Sequence, residues 1–259
     1  MTELWADRDF LCGAQYRTDR NLAARQSIYA YQHPPIDLSA RVLDLAAPAA
    51  GETVADVGCG NGVYLAELAR RGFTGRVVGA DLSAGMLAAA RSRAPSAALL
   101  TADAGALPLA DGATDLTLAM HMLYHVPDPL VAVRELRRVT RPGGRVVVGL
   151  NGADHLRELR AIFAAAGGAA VVQPGERLRL DDGEAMLRGV FSSVTRHDFA
   201  AELRFRDPEP VADYVRSMSQ ALTHADPERL VADIVSAAFP DGADGGLRVT
   251  THSGCLVCA

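Results

Sequence analysis

The chain contains no lysine. All 26 of its basic residues are arginine, which, with abundant alanine, reads as the imprint of a GC-rich genome rather than a functional choice. No long arginine block occurs and the formal net charge is −5, which argues against a nucleic-acid surface, where a basic excess is usual. No apolar run approaches a membrane span, and the N-terminus lacks a signal-peptide pattern. The sequence therefore predicts a cytoplasmic protein that does not enter the membrane. Cysteine is scarce and scattered, at Cys12, Cys59, Cys255 and Cys258, which argues against a disulfide framework. Cys255-Leu256-Val257-Cys258 has the C-x-x-C spacing of zinc and redox sites, but it closes an apolar, strand-like tail without a second Cys/His pair. Strand side chains three apart face opposite sides, so buried thiols are expected there and no metal site. Repeats and low-complexity tracts are also missing. The 259 residues, 49% of them apolar, suffice for the full core of one elaborated α/β unit.

What the chain does have is a glycine turn with strands in phase behind it. Val54-Ala55-Asp56-Val57 reads as a buried strand, and Gly58-Cys59-Gly60-Asn61-Gly62 opens a helical pattern running to about Arg71. Glycine accepts positive φ and lets a ligand approach bare backbone, and a helix start directs free N–H groups and a positive dipole end into the turn. A dinucleotide fingerprint requires a third glycine where this chain has Val63. Asp56 would also oppose a pyrophosphate, whereas it suits a cationic ligand such as S-adenosylmethionine (SAM). Three further apolar runs end in Asp81, Asp103 and the pair His121/His125. Asp81 lies about twenty residues beyond the turn, where an acid can hold both ribose hydroxyls. Asp103 could accept from an adenine amino group. A fifth run, Arg145 to Gly149, follows Arg141-Pro142-Gly143-Gly144.

These stretches resemble the successive motifs of class I SAM-dependent methyltransferases: Val54–Gly62, Gly79–Leu82, Ala102–Ala104, Asp115–Val126 and Arg137–Gly149. The resemblance covers about residues 50 to 150. It implies a doubly wound, mostly parallel, seven-stranded α/β sheet, with residues 1–50 as a helical cap, 51–150 as the SAM-binding core and 151–259 as the remaining sheet. A helical lid is expected at about 208–240. SAM contacts are implied for Asp56, Gly58, Cys59, Gly60, Asn61, Gly62, Asp81, Leu82, Met86, Asp103, Ala104 and Met120. The leading segment Tyr16…Asn21-Leu22…Arg25 also resembles that of related bacterial enzymes, placing Tyr16 or Arg25 at the cofactor's carboxylate. The Asn/Asp-Pro-Pro-Tyr signature of amino-group methylation is absent, with Met120-His121-Met122-Leu123 near that place.

The expected function is methyl transfer to a small organic acceptor by a monomer or homodimer, in secondary metabolism. His121 and His125 are the candidate catalytic residues, since a pKa near neutrality suits proton removal. Two other readings remain open. Gly152–Arg160 resembles the stretch after the fifth strand in rRNA guanine-N1 methyltransferases, although the zinc module of those enzymes is missing here. A SAM-binding scaffold without turnover is the other.

Outside the core, the periodicity predicts helices over 19–31 and 36–45 separated by His33-Pro34-Pro35, then over 128–140, 155–166, 181–188, 208–222 and 227–238. Strands are predicted at 194–205 and 247–257.

Overall fold

The computed structural model describes residues 4–167, 177–240, 242 and 245–259. Eight strands form one sheet: β1 (Gln32–His33), β2 (Thr53–Val57), β3 (Arg76–Asp81), β4 (Ala98–Thr101), β5 (Thr114–Met120), β6 (Thr140–Asn151), β7 (Val194–Phe205) and β8 (Leu247–Cys258). Their order across the sheet is β1-β7-β8-β6-β5-β2-β3-β4. The block β6-β5-β2-β3-β4 is parallel throughout, while β8 runs antiparallel to both β6 and β7.

The expected seven strands become eight because Gln32 and His33, the latter read as the start of the His33-Pro34-Pro35 breaker, pair with Leu203 and Glu202 at the sheet edge. A two-residue strand carries no periodicity to read.

The helices used below are α1 (Arg20–Ser27), α2 (Leu38–Ala46), α3 (Val63–Arg70), α4 (Ala84–Arg93), α5 (Pro129–Val139), α6 (Arg157–Gly167), α7 (Leu180–Arg188), α8 (Glu209–Arg216), α9 (Ser219–Thr223) and α10 (Pro227–Ala238). Most match the periodicity within a few residues. The helix expected over 208–222 is broken into α8 and α9 around Ser217 and Met218. The pair Gly167-Gly168 reads in the sequence as the stop of α6; Gly167 is still helical as its last residue, and Gly168 lies outside the described residues. Asp128 caps α5 by accepting from Leu130 N at 3.0 Å, with Pro129 at the first turn, where a missing N–H costs nothing.

The strands alternate between two helical layers. Ala119, Val146, Val148 and Leu150 pack with α5 and α7, while Leu116, Leu118 and Val147 pack with α2 and α3. Cys255 and Cys258 fall on opposite layers, both buried and free, as the strand argument required. A third cluster joins α6, α8 and α10 to Leu203, Phe205 and Val249 on the far half of the sheet. Burial at roughly 25 cal/mol per Å² of apolar surface makes these layers the main source of stability. Chain order reverses between β5 and β2, so a crevice opens beyond their C-terminal ends.

Candidate functional site

The crevice begins at the turn after β2. Gly58 and Cys59 donate to Ala80 O at 2.7 and 3.0 Å, fastening the turn to β3. Gly60 N donates to Asp81 Oδ2 at 2.8 Å, and Ser83 N to Asp81 Oδ1 at 2.8 Å. Three glycines take positive φ: Gly58 at 68°, Gly60 at 53° and Gly62 at 82°. A Cβ on Gly58 would sit 2.7 Å from the Met122 side chain on the cavity wall. Gly62 is different: its Cβ would meet Ala90 Cα of α4 at 2.9 Å, and it does not line the cavity. The bare glycine lets the start of α3 approach α4.

A cavity of about 570 Å³ lies over this turn. Every other residue for which the sequence implied a SAM contact or a catalytic role borders it. Asp56, Gly58, Cys59, Gly60 and Asn61 form the floor, with Asp81, Leu82 and Met86 beside them. Asp103 and Ala104 stand beyond β4, and Met120, His121 and His125 follow β5. Tyr16 and Arg25 close the opposite wall.

Among the described residues, two groups in this cavity have buried polar atoms without a hydrogen-bond partner. Asp56 is buried, and neither carboxylate oxygen accepts a hydrogen bond within the protein. Burial, and then the neighbouring Asp81 charge, raise its pKa to about 8. Across the cavity, Arg25 Nη2 is buried and makes no hydrogen bond, while the guanidinium carbon lies 5.1 Å from the Tyr16 ring centroid. An orphaned carboxylate and an orphaned guanidinium N–H are complementary to an ammonium and a carboxylate on one ligand. Asp81 is also pushed up by burial, opposed by the N–H groups of Ser83 and Gly60. Its two backbone bonds leave oxygen lone pairs free for hydroxyl groups.

Elsewhere the expectations need adjusting. Asp103 pairs with Arg8 and accepts from Gly105 N at 2.9 Å, so an adenine amino group there would share an oxygen with Arg8 or displace it. His121 and His125 do not share a helical face: only Leu123–His125 is helical, as one 3₁₀ turn, and His121 precedes it at φ 53°. Burial pulls the His121 pKa down to about 4, away from the near-neutral value expected of a titrating base. His125 Nε2 lies 2.9 Å from Tyr16 Oη, tying the N-terminal segment to this turn. Asn61 Nδ2 donates to Gln26 Oε1 at 3.0 Å, a second tie to α1. Among the described residues no group of three His, Cys, Asp or Glu side chains could hold a metal ion.

Tyr29, Tyr124, Tyr214 and His155 also line the cavity, and the sequence reading did not include them. Tyr124 falls within the Asp115–Val126 motif and His155 within Gly152–Arg160, but no role was read for either, while Tyr29 and Tyr214 lie outside every motif. Tyr214 sits on α8, within the stretch expected to form a lid. His155 belongs to Gly152–Arg160, which turns back onto the cavity before entering α6.

Comparison with known proteins agrees with this geometry. A family model described as a methyltransferase domain matches residues 55–148. Malonyl-[acyl-carrier protein] O-methyltransferase of Serratia marcescens is 30% identical over 190 residues, covering 70% of this chain and 68% of that protein. Demethylmenaquinone methyltransferase of Beutenbergia cavernae is 41% identical over 106 residues, covering 41% of this chain and 43% of that one. The chain thus spans less than half of the latter's length. Phosphoethanolamine N-methyltransferase 2 of Haemonchus contortus, solved with S-adenosylhomocysteine, superposes with TM-score 0.61 at 17% identity, covering all of this chain and 60% of that one. At such identity the likeness concerns the fold.

Proposed function

The chain belongs to the class I SAM-dependent methyltransferases, and from that premise we propose that it transfers a methyl group from SAM to a small organic acceptor. All 259 residues act as one unit in this reading, with the N-terminal helices and α8–α10 closing over the core. The observation that carries it is the pair of uncompensated groups, Asp56 and Arg25, facing one cavity over a glycine turn. Asp56 takes the ammonium of the donor, Arg25 its carboxylate and Asp81 the ribose hydroxyls. Asp103 lies beyond β4 for the adenine amino group. When bound, SAM supplies a methyl group already activated by its sulfonium.

The residues here align the acceptor and exclude water. His121, neutral above about pH 4, offers a ring nitrogen lone pair to an acceptor hydroxyl or N–H. It receives the proton if the acceptor must lose one as the methyl–oxygen or methyl–nitrogen bond forms. The Tyr16–His125 bond holds the neighbouring wall in place.

Among the comparisons, an acyl-carrier-bound malonyl group and a demethylmenaquinone appear in relatives' names. Both are small or carrier-borne metabolites. They favour a small-molecule acceptor and leave a place in secondary metabolism as a proposal.

Calorimetric titration tests the cofactor assignment. Asp81→Ala should weaken S-adenosylhomocysteine binding by roughly 1.5–3 kcal/mol, about ten- to a hundredfold, through the lost ribose bonds. Unchanged affinity would remove Asp81 from the site, and tight NAD binding by the wild type would overturn the cofactor itself.

A further inference from the structure

Beyond the cofactor end, the cavity wall carries a hydrogen-bonded relay whose direction the backbone fixes. The His252 backbone N–H donates to His155 Nδ1 at 3.1 Å. A backbone amide can only donate, so Nδ1 holds a lone pair and the ring proton of neutral His155 resides on Nε2. Nε2 lies 3.0 Å from Tyr29 Oη. His155 therefore donates to Tyr29, and the tyrosine must send its own proton elsewhere. No other protein group among the described residues accepts it, and Tyr29 borders the cavity.

We propose that Tyr29, oriented by His155 as a positioning residue, donates a hydrogen bond to an oxygen atom of the methyl acceptor. The proposal rests on the reading of the cavity as a SAM and acceptor site, and it narrows the acceptor to a neutral hydroxylated ring or enol. Three features support that class. Burial holds His155 neutral, with a pKa lowered to about 3, so the relay keeps its direction across the physiological range. Burial also raises the pKa of Tyr29 and Tyr124, and that of Tyr214 to about 12. The tyrosines stay protonated, and the charge that acts on all three, the Arg25 guanidinium, is taken up by the donor's carboxylate in this reading, which leaves rings and neutral dipoles for the acceptor. The Tyr29 and His155 rings lie within 23° of coplanar with centroids 6.3 Å apart, so they meet edge to edge through this bond and the tyrosine hydroxyl is held in one direction.

Two measurements test this. In ¹⁵N NMR of the full chain, His155 should show the Nε2–H tautomer between pH 6 and 9; an Nδ1–H tautomer overturns the relay. For binding, the probes are 4-chlorophenol and its isostere 4-chlorotoluene, titrated against protein saturated with S-adenosylhomocysteine. The wild type should prefer the phenol about tenfold, the worth of one buried hydrogen bond. Tyr29→Phe should erase the preference while leaving chlorotoluene and S-adenosylhomocysteine affinities unchanged. His155→Phe should reduce the preference, which mere packing would not do. Absence of the preference in the wild type, or its survival in Tyr29→Phe, overturns the proposal. Failure of S-adenosylhomocysteine to bind the wild type overturns instead the cofactor reading beneath it.

Discussion

Asp56 concentrates the electrostatics of the site in one side chain. A folded-state pKa of about 8, against 3.8 for an unperturbed carboxyl, means the ligand-free fold keeps a proton that the unfolded chain has released. The contribution to stability is therefore negative and grows as pH rises from about 4 to about 8. Asp56→Asn should flatten this slope in urea titrations of the ligand-free protein. Binding an ammonium reverses the preference, because the carboxylate then has its counter-charge. At pH 7 we expect close to one proton released per S-adenosylhomocysteine bound, measured by calorimetry in buffers of different ionisation enthalpy. Equal proton release by wild type and Asp56→Asn would show that another group titrates. Asp56 and Asp81 could be picked out in the sequence because a strand-ending acid beside a glycine turn is a local pattern. Their burial and mutual repulsion depend on what covers them, which no local pattern reports.

Elements supply that cover, and Ser83 shows how closely they are coupled. Its Oγ accepts from Met86 N at 3.3 Å, capping α4, and donates to Tyr16 O at 2.6 Å. One hydroxyl thus serves the helix start and anchors the N-terminal segment that carries Tyr16. Ser83→Ala should cost about 1–3 kcal/mol, combining a lost cap with an unsatisfied carbonyl. Its urea midpoint should fall at unchanged m-value; an unaltered midpoint would mean that water replaces both bonds. The cap was legible, since Ser83 follows Asp81 at the entrance to a helical pattern. The anchor was not, because Tyr16 lies far off in the chain. The packing of Gly62 against Ala90 was not legible for a related reason: a glycine at a turn shows no sign in the sequence of the helix that will lie against it.

The sheet topology assembles the cavity from distant parts of the chain. Tyr29 comes from a 3₁₀ turn before β1, Tyr124 from the turn after β5, His155 from the loop after β6 and Tyr214 from α8. The five parallel strands were readable because apolar runs and turn residues repeat in order. The rest of the cavity lining was not readable: Tyr124 sits within the Asp115–Val126 motif without a distinctive pattern, and no spacing links Tyr29 and Tyr214 to it. Arg8 against Asp103 is another long-range contact of this kind. The account's central claim is that one cavity holds SAM with its amino-acid end between Asp56 and Arg25 and its ribose on Asp81. A crystal structure of the full chain with S-adenosylhomocysteine tests this most directly. It should show the ribose hydroxyls on the Asp81 carboxylate, the ligand carboxylate on Arg25 and the ammonium facing Asp56. A nucleoside bound away from Asp81, or an amino-acid end that leaves both Asp56 and Arg25 without a partner, would contradict it.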